Sequence, residues 1–237
     1  MIFINKFPPP QELKQLKQLA EAKGLTENEA YKMLRNPLKG KVRDSLVKEQ
    51  GHLCAYCMRR IPDERILPDD TNLSDTYIEH WQARSLQDTG SSNKSLDYNN
   101  MLVVCSGNEK INKGPGRHKR RFLTCDKKRG NQPLKVNPLD ANTLATIYYL
   151  SDGTIQSTDN VINNDIDGIL NLNCNEEAVT LPQSRKAVLD VVQESLVNQE
   201  GDFITNCREQ LRIWENEEDP KTPYIGIVIW WLREQLK

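Results

Sequence analysis

Four of the six cysteines are spaced as metal ligands. Cys54 and Cys57 form a CxxC knuckle, whose two-residue gap lets one turn present both sulfurs to a single ion, and Cys105 and Cys125 offer a second, wider pair. Four thiolates suit a structural zinc ion. Spacing alone leaves four unlinked buried cysteines as the alternative, and a redox use of CxxC is disfavoured because no βαβ pattern surrounds it. Cys174 and Cys207 read as core residues. Of three histidines, His52 adjoins the knuckle and His118 lies in the basic run RHKRR. His80 directly follows Glu79 at the end of TYIEHW, which places a hard oxygen ligand and a base of near-neutral pKa at one point.

Charge is concentrated beside these residues. Between Asn108 and Lys135 ten Lys or Arg stand against Glu109 and Asp126, a balance of +8 that leaves −9 for the rest of a chain whose formal charge is −1. A positive field confined to one stretch suits the phosphate backbone of a nucleic acid. Its members are Lys110, Lys113, Arg117, Lys119, Arg120 and Arg121, followed by Lys127, Lys128 and Arg129. A solvated basic loop is the plainer alternative.

The order CAYC, YIEHW, YNNMLVVC, TCDKKRGN resembles the HNH endonucleases, a family in which a ββα-metal hairpin is braced by a four-cysteine zinc site. The family's acidic residue followed by His matches Glu79 and His80, and its middle Asn matches Asn100 ahead of MLVVC. The third motif departs from the family: Cys125 is followed by Asp126, with Arg129, Gly130 and Asn131 next. Position makes Asp126 the second metal ligand, and Asn131 is its rival. The resemblance implies His80 as general base, Glu79 and Asp126 as ligands of Mg²⁺ or Mn²⁺, and Asn100 as a brace across the hairpin loop that keeps His80 in register. With VNPLD, IYYLSDGTIQS, INNDIDGILNLNC and RKAVLD the likeness narrows to the PtuB subfamily, the nuclease component of Septu-type and retron-linked anti-phage defence. That implies DNA as substrate and a PtuA-like ABC/SMC-type ATPase as partner. The alternatives are a zinc-braced nucleic-acid-binding or adaptor module without catalysis, and a stand-alone restriction-like HNH nuclease.

These residues need elements to position them. Three prolines precede a helical pattern, QELKQLKQLAEAKG, that ends at Gly24, and Thr26 with Glu29 forms a capping-box signature for a second helix through about Leu34. A third helix is predicted from about Lys41 to Glu49, closed by Gly51. TYIEHW and NNMLVVC read as short strands, and TIYYLSDGTIQS as a hairpin turning at Asp152 and Gly153. Two further helices are predicted, one over Ser184 to Asn198 and one over IGIVIWWLREQL, which should bury Ile225, Val228, Trp231 and Leu232. Its remaining apolar residues, Ile227, Ile229 and Trp230, spread beyond one face, which predicts that the surplus meets a partner, with packing inside the chain's own core as the plainer alternative. The expected fold is α+β. Residues 1–50 form an N-terminal helical segment, 51–137 a central ββα-metal core with the zinc site, and 138–237 a β-hairpin with a C-terminal helical segment. No apolar run approaches the roughly 18 residues of a membrane span, and the proline-rich start lacks the form of a secretory signal, so a cytoplasmic protein without a membrane partner is expected.

Overall fold

Pro8, Pro9 and Pro10 keep the first ten residues out of regular structure, and α1 (Gln11–Ala22) starts directly after them. The computed structural model describes residues 1–61, 76–84, 94–109, 122–176 and 179–237. At α2 (Glu27–Met33) the Thr26 hydroxyl accepts from the Glu29 N–H while the Glu29 carboxylate accepts from the Thr26 N–H at 2.9 Å, the reciprocal cap the sequence predicts. Next, α3 (Leu38–Glu49) buries Val42, Leu46 and Val47 and leads to Gly51, whose φ of +63° reverses the chain.

The knuckle follows. The Cys54 N–H donates to the Arg59 carbonyl at 2.9 Å, and the Ala55 N–H donates to the Val103 carbonyl at 3.0 Å, so the turn is hooked onto a strand about fifty residues downstream. That strand is β2 (Met101–Cys105), antiparallel to β1 (Thr76–His80), with Thr76 opposite Cys105 and His80 opposite Met101. All five residues of β2 are buried, which explains why MLVVC reads as a continuous apolar run rather than an alternating one. Gln50 pins α3 to it: its amide donates to the Leu53 and Val103 carbonyls and accepts from the Val103 N–H. Helix α4 (Cys125–Arg129) then packs against β2.

Beyond it come α5 (Ala141–Leu144), the hairpin β3 (Ile147–Tyr149) and β4 (Ile155–Ser157), α6 (Asn160–Asn164) with one π-helical turn, and the short pair β5 (Asn175–Glu176) and β6 (Val179–Thr180). The chain continues through α7 (Leu181–Val197), α8 (Phe203–Glu215) and α9 (Ile225–Gln235). Among the described residues the fold is thus α+β, with nine α-helices and three two-stranded antiparallel sheets. One buried apolar cluster draws on residues from 1–50, 51–137 and 138–237 alike. No helix among the described residues is long and apolar enough to cross a membrane.

Two expectations change. Helix α8 lies where the apolar pattern gives no element, because its buried positions are Asn206 and the small Cys207 while Phe203, Ile204 and Ile213 face outward. The surplus predicted for α9 is largely taken up by the chain's own packing. Ile225, Ile227, Val228 and Leu232 are buried, and Ile229, Trp230 and Trp231 are half-buried, because α7, α8 and β3 all pack on this helix. Much of the apolar excess therefore closes the chain's own core.

At the hairpin turn Gly153 has φ +85°, and a Cβ there would stand 2.0 Å from the Pro182 carbonyl oxygen. Gly153→Ala combines a left-handed backbone with a clash against main chain that cannot rotate away. It is expected to cost about 2–4 kcal/mol in urea unfolding. A loss under about 0.5 kcal/mol would show that the turn repacks freely.

Candidate functional site

Residues 54–57, 105 and 125 reach one point because the knuckle hooks onto β2, β2 ends in Cys105, and α4 begins with Cys125. Cys125 has φ +54°, and its N–H donates to the Leu170 carbonyl at 2.8 Å. The four sulfurs lie within 4.8 Å of one another, all buried. The Cys54 to Cys125, Cys57 to Cys105 and Cys105 to Cys125 distances are each 3.8 Å. A disulfide would need about 2.05 Å. A tetrahedral ion bound at about 2.3 Å sets its sulfurs about 3.8 Å apart, so the cluster has the dimensions of a thiolate cage. Four buried cysteines in this arrangement could hold a metal ion such as zinc.

The electrostatics agree with the dimensions. Burial pushes the Cys54 and Cys125 thiols well up. Burial also opposes the Cys57 thiolate, yet hydrogen bonds from Cys105, Cys125 and Cys54 and the Arg59 charge hold it well below the ordinary thiol range. Without an ion Cys54 and Cys125 thus hold their protons, and a divalent cation would displace them. Arg59, missed in the sequence, is half-buried beside the sulfurs. Its charge survives burial through Cys105 and Cys57, and its Nε has no hydrogen-bond partner among the described residues. Cys174 and Cys207 are buried outside the cluster.

The second cluster is built at the end of β1. Glu79 is buried, and its Oε1 accepts from the Tyr56 hydroxyl at 3.3 Å and from the Arg129 guanidinium. Asp126, in the first turn of α4, stands close enough to share a hydrogen bond with Glu79. Burial first, and then the Asp126 charge, push the Glu79 carboxyl up to about 8 against the pull of Arg129. Burial thus favours the protonated form of Glu79 at neutral pH, with the Arg129 guanidinium as its ionic partner. Asn131 is exposed beyond Gly130.

His80 goes elsewhere. Consecutive strand residues point to opposite faces. The His80 imidazole is accordingly buried against Tyr31, with ring centroids 5.0 Å apart and planes at 81°, and its Nε2 donates to the Ser95 carbonyl at 2.9 Å. That bond leaves Nδ1 as the unprotonated nitrogen. Burial, with smaller contributions from Arg84, Arg129 and Lys39, lowers its pKa to about 4, so the ring is neutral at physiological pH. The sequence places Glu79 and His80 at one point; the strand separates their side chains. Asn100 spans the gap on the His80 side. Its carboxamide accepts from the Gln82 N–H at 2.8 Å and donates to the carbonyls of Gln82 and Lys94, tying the chain after β1 to the chain before β2.

The basic residues divide. Lys110, Lys113, Arg117, His118, Lys119, Arg120 and Arg121 lie outside the described residues. Lys127 pairs with Glu109 at 3.1 Å and sits 4.5 Å over the Tyr77 ring, and Lys128 is half-buried on α4. Arg129 is not the surface phosphate contact its charge suggests. It is 2% exposed, and besides Glu79 it donates to the carbonyls of His80, Trp81 and Gln132. A guanidinium so engaged clamps the end of β1 to α4. Tyr56 and Ser95 also escaped the sequence, which carries no signal for either beyond their proximity to the motifs. No protein-family model matches the sequence, and no curated protein matches it.

Proposed function

We propose that the chain is a metal-dependent HNH endonuclease that hydrolyses phosphodiester bonds of DNA, with β1, β2 and α4 as a ββα-metal finger braced by zinc on Cys54, Cys57, Cys105 and Cys125. The observation that carries the proposal is the meeting of Glu79 with Asp126: a strand and a helix that share a cysteine cage bring two carboxylates together, with the neutral His80 on the other face of the same strand end. Two adjacent carboxylates are a donor set that fits Mg²⁺ or Mn²⁺. Such an ion would stabilise charge on the phosphate and on the leaving oxygen. His80, held with Nδ1 unprotonated, is the group to take a proton from the attacking water. Asn100 keeps the two ends of the intervening loop in register, and the basic stretch binds the backbone without reading bases. The proposed setting is anti-phage defence beside a PtuA-like ATPase, which rests on the sequence resemblance alone.

A zinc-braced nucleic-acid-binding module without catalysis is the second reading, favoured by the burial of His80 and by the hold of Arg129 on Glu79. Incubating the purified chain with supercoiled plasmid, with and without Mn²⁺ and the candidate ATPase, separates the two. Nicking or linearisation that requires the metal supports the nuclease, and intact plasmid in every arm supports the binding module. Asp126→Ala is expected to raise the Mn²⁺ needed for half-maximal cleavage by about tenfold or more, the loss of one charged ligand. Asn131→Ala should leave it unchanged. The opposite pattern would transfer the ligand role to Asn131.

Neutralising Lys119, Arg120 and Arg121 together is expected to weaken binding to all sequences alike. The slope of log affinity against log salt should flatten by up to about three phosphate contacts. An unchanged slope would make the stretch a solvated loop.

A further inference from the structure

We propose that α2 belongs to the candidate centre: Glu27 and Tyr31, one turn apart on it, are positioning residues that hold the His80 imidazole in one orientation and one tautomer. The proposal deepens the nuclease reading by adding residues from outside the ββα segment, and rests on that reading only for its catalytic consequence.

Residues i and i+4 of a helix share a face. Glu27 and Tyr31 turn theirs toward the short 3₁₀ turn Lys94–Leu96 and the end of β1. The Glu27 carboxylate is buried, although it stands in the first turn of a surface-capped helix where solvent would be the ordinary partner. Its Oε1 accepts from the Lys94 N–H at 2.7 Å, and its Oε2 accepts from the Ser95 N–H at 2.5 Å. The two carbonyls of the same dipeptide are also taken, that of Lys94 by Asn100 at 3.2 Å and that of Ser95 by His80 Nε2 at 2.9 Å. Every backbone polar group of Lys94 and Ser95 is thus engaged, the donors by Glu27 and the acceptors by Asn100 and His80. A carbonyl fixed in this way selects the Nε2–H tautomer. Tyr31 supplies the second restraint. Its ring meets the imidazole edge to face, and the Arg84 guanidinium lies 4.1 Å above the Tyr31 ring centroid. The Tyr31 ring thus contacts both the imidazole and the Arg84 guanidinium, and a swing of the imidazole toward it meets a packed side chain.

Glutamine at position 27 keeps the shape but offers one acceptor where the dipeptide needs two. The test uses the full chain with histidine labelled by ¹⁵N, and reads the His80 ring nitrogens in long-range ¹H–¹⁵N spectra of wild type, Glu27→Gln, Tyr31→Leu and Thr26→Ala. The last removes the cap of the same helix without touching Ser95. Wild type and Thr26→Ala should show one protonated and one unprotonated ring nitrogen. Glu27→Gln and Tyr31→Leu should show averaged nitrogens. On plasmid, both should lower kcat on the order of tenfold with KM nearly unchanged, the size of one lost orienting hydrogen bond. A wild-type ring pattern in Glu27→Gln and Tyr31→Leu overturns the proposal. Absence of cleavage by wild type overturns the nuclease reading instead, while the ring spectra still decide whether α2 sets the imidazole.

Discussion

Cys54→Ser is expected to abolish metal retention and to lower the thermal midpoint by at least about 10 °C, since 1 kcal/mol moves a chain of this size about 2–4 °C. Structural zinc contributes about 10–16 kcal/mol of apparent binding free energy in small peptides, comparable with the whole stability of a domain at about 5–15 kcal/mol. Even a fraction of that loss is decisive here. The cluster is where the knuckle, β2 and α4 meet, and the half-buried Arg59 lies beside it. Serine oxygen is a poorer zinc ligand than thiolate and would leave an incomplete shell. Elemental analysis of protein prepared without chelator should give about one zinc per wild-type chain and less than half of that in the variant. Cys207→Ser, buried outside the cluster, is the matched control. Equal midpoints for Cys54→Ser and wild type, or a metal-free wild type that melts normally, would remove the structural role of the cage.

The second large effect is on chemistry. Under the proposed nuclease function, replacing His80 should cut cleavage by about 10²–10⁴-fold, the usual contribution of a positioned general base. The structure determines which substitution is informative. His80 is 5% exposed and satisfies the Ser95 carbonyl, so His80→Ala would open a cavity and leave a buried acceptor unpaired, at about 2–4 kcal/mol. His80→Gln fills most of the space and can still donate to Ser95, but has no titratable nitrogen. It should retain zinc and fold while losing cleavage. A His80→Gln variant that cuts within tenfold of wild type would exclude His80 as the base.

What the sequence revealed depended on whether the signal was local. The Thr26 to Glu29 cap, the CxxC turn, both strands and the Asp152 to Gly153 hairpin are specified by neighbours a few residues apart, and they appear where the pattern puts them. The cysteine cage was legible as a set because thiols are rare and metal geometry is demanding. Arg129 was misjudged because composition counts a charge without its burial: the same guanidinium that adds to a basic stretch is consumed by Glu79 and three carbonyls. Side-chain direction was lost in the same way. Adjacency of Glu79 and His80 in sequence suggests a shared site, whereas strand alternation sends one toward α4 and the other toward α2. Glu27 escaped notice because a carboxylate in the first turn of a helix is ordinary there, and only the fold reveals that it reaches the backbone of Lys94 and Ser95.

The packing of α9 on the knuckle gives synthesis a timetable. Gly226 passes so close to Met58 that a Cβ would lie 2.8 Å from its sulfur, and the Tyr224 N–H donates to the Met58 carbonyl at 3.0 Å. The fourth thiol, Cys125, is translated about a hundred residues before that helix, an interval of about 5–20 s at ordinary elongation rates. For those seconds the nascent chain holds the full set of sulfurs without the contacts of α9 with Met58, and the arrival of α9 completes the packing beside the knuckle.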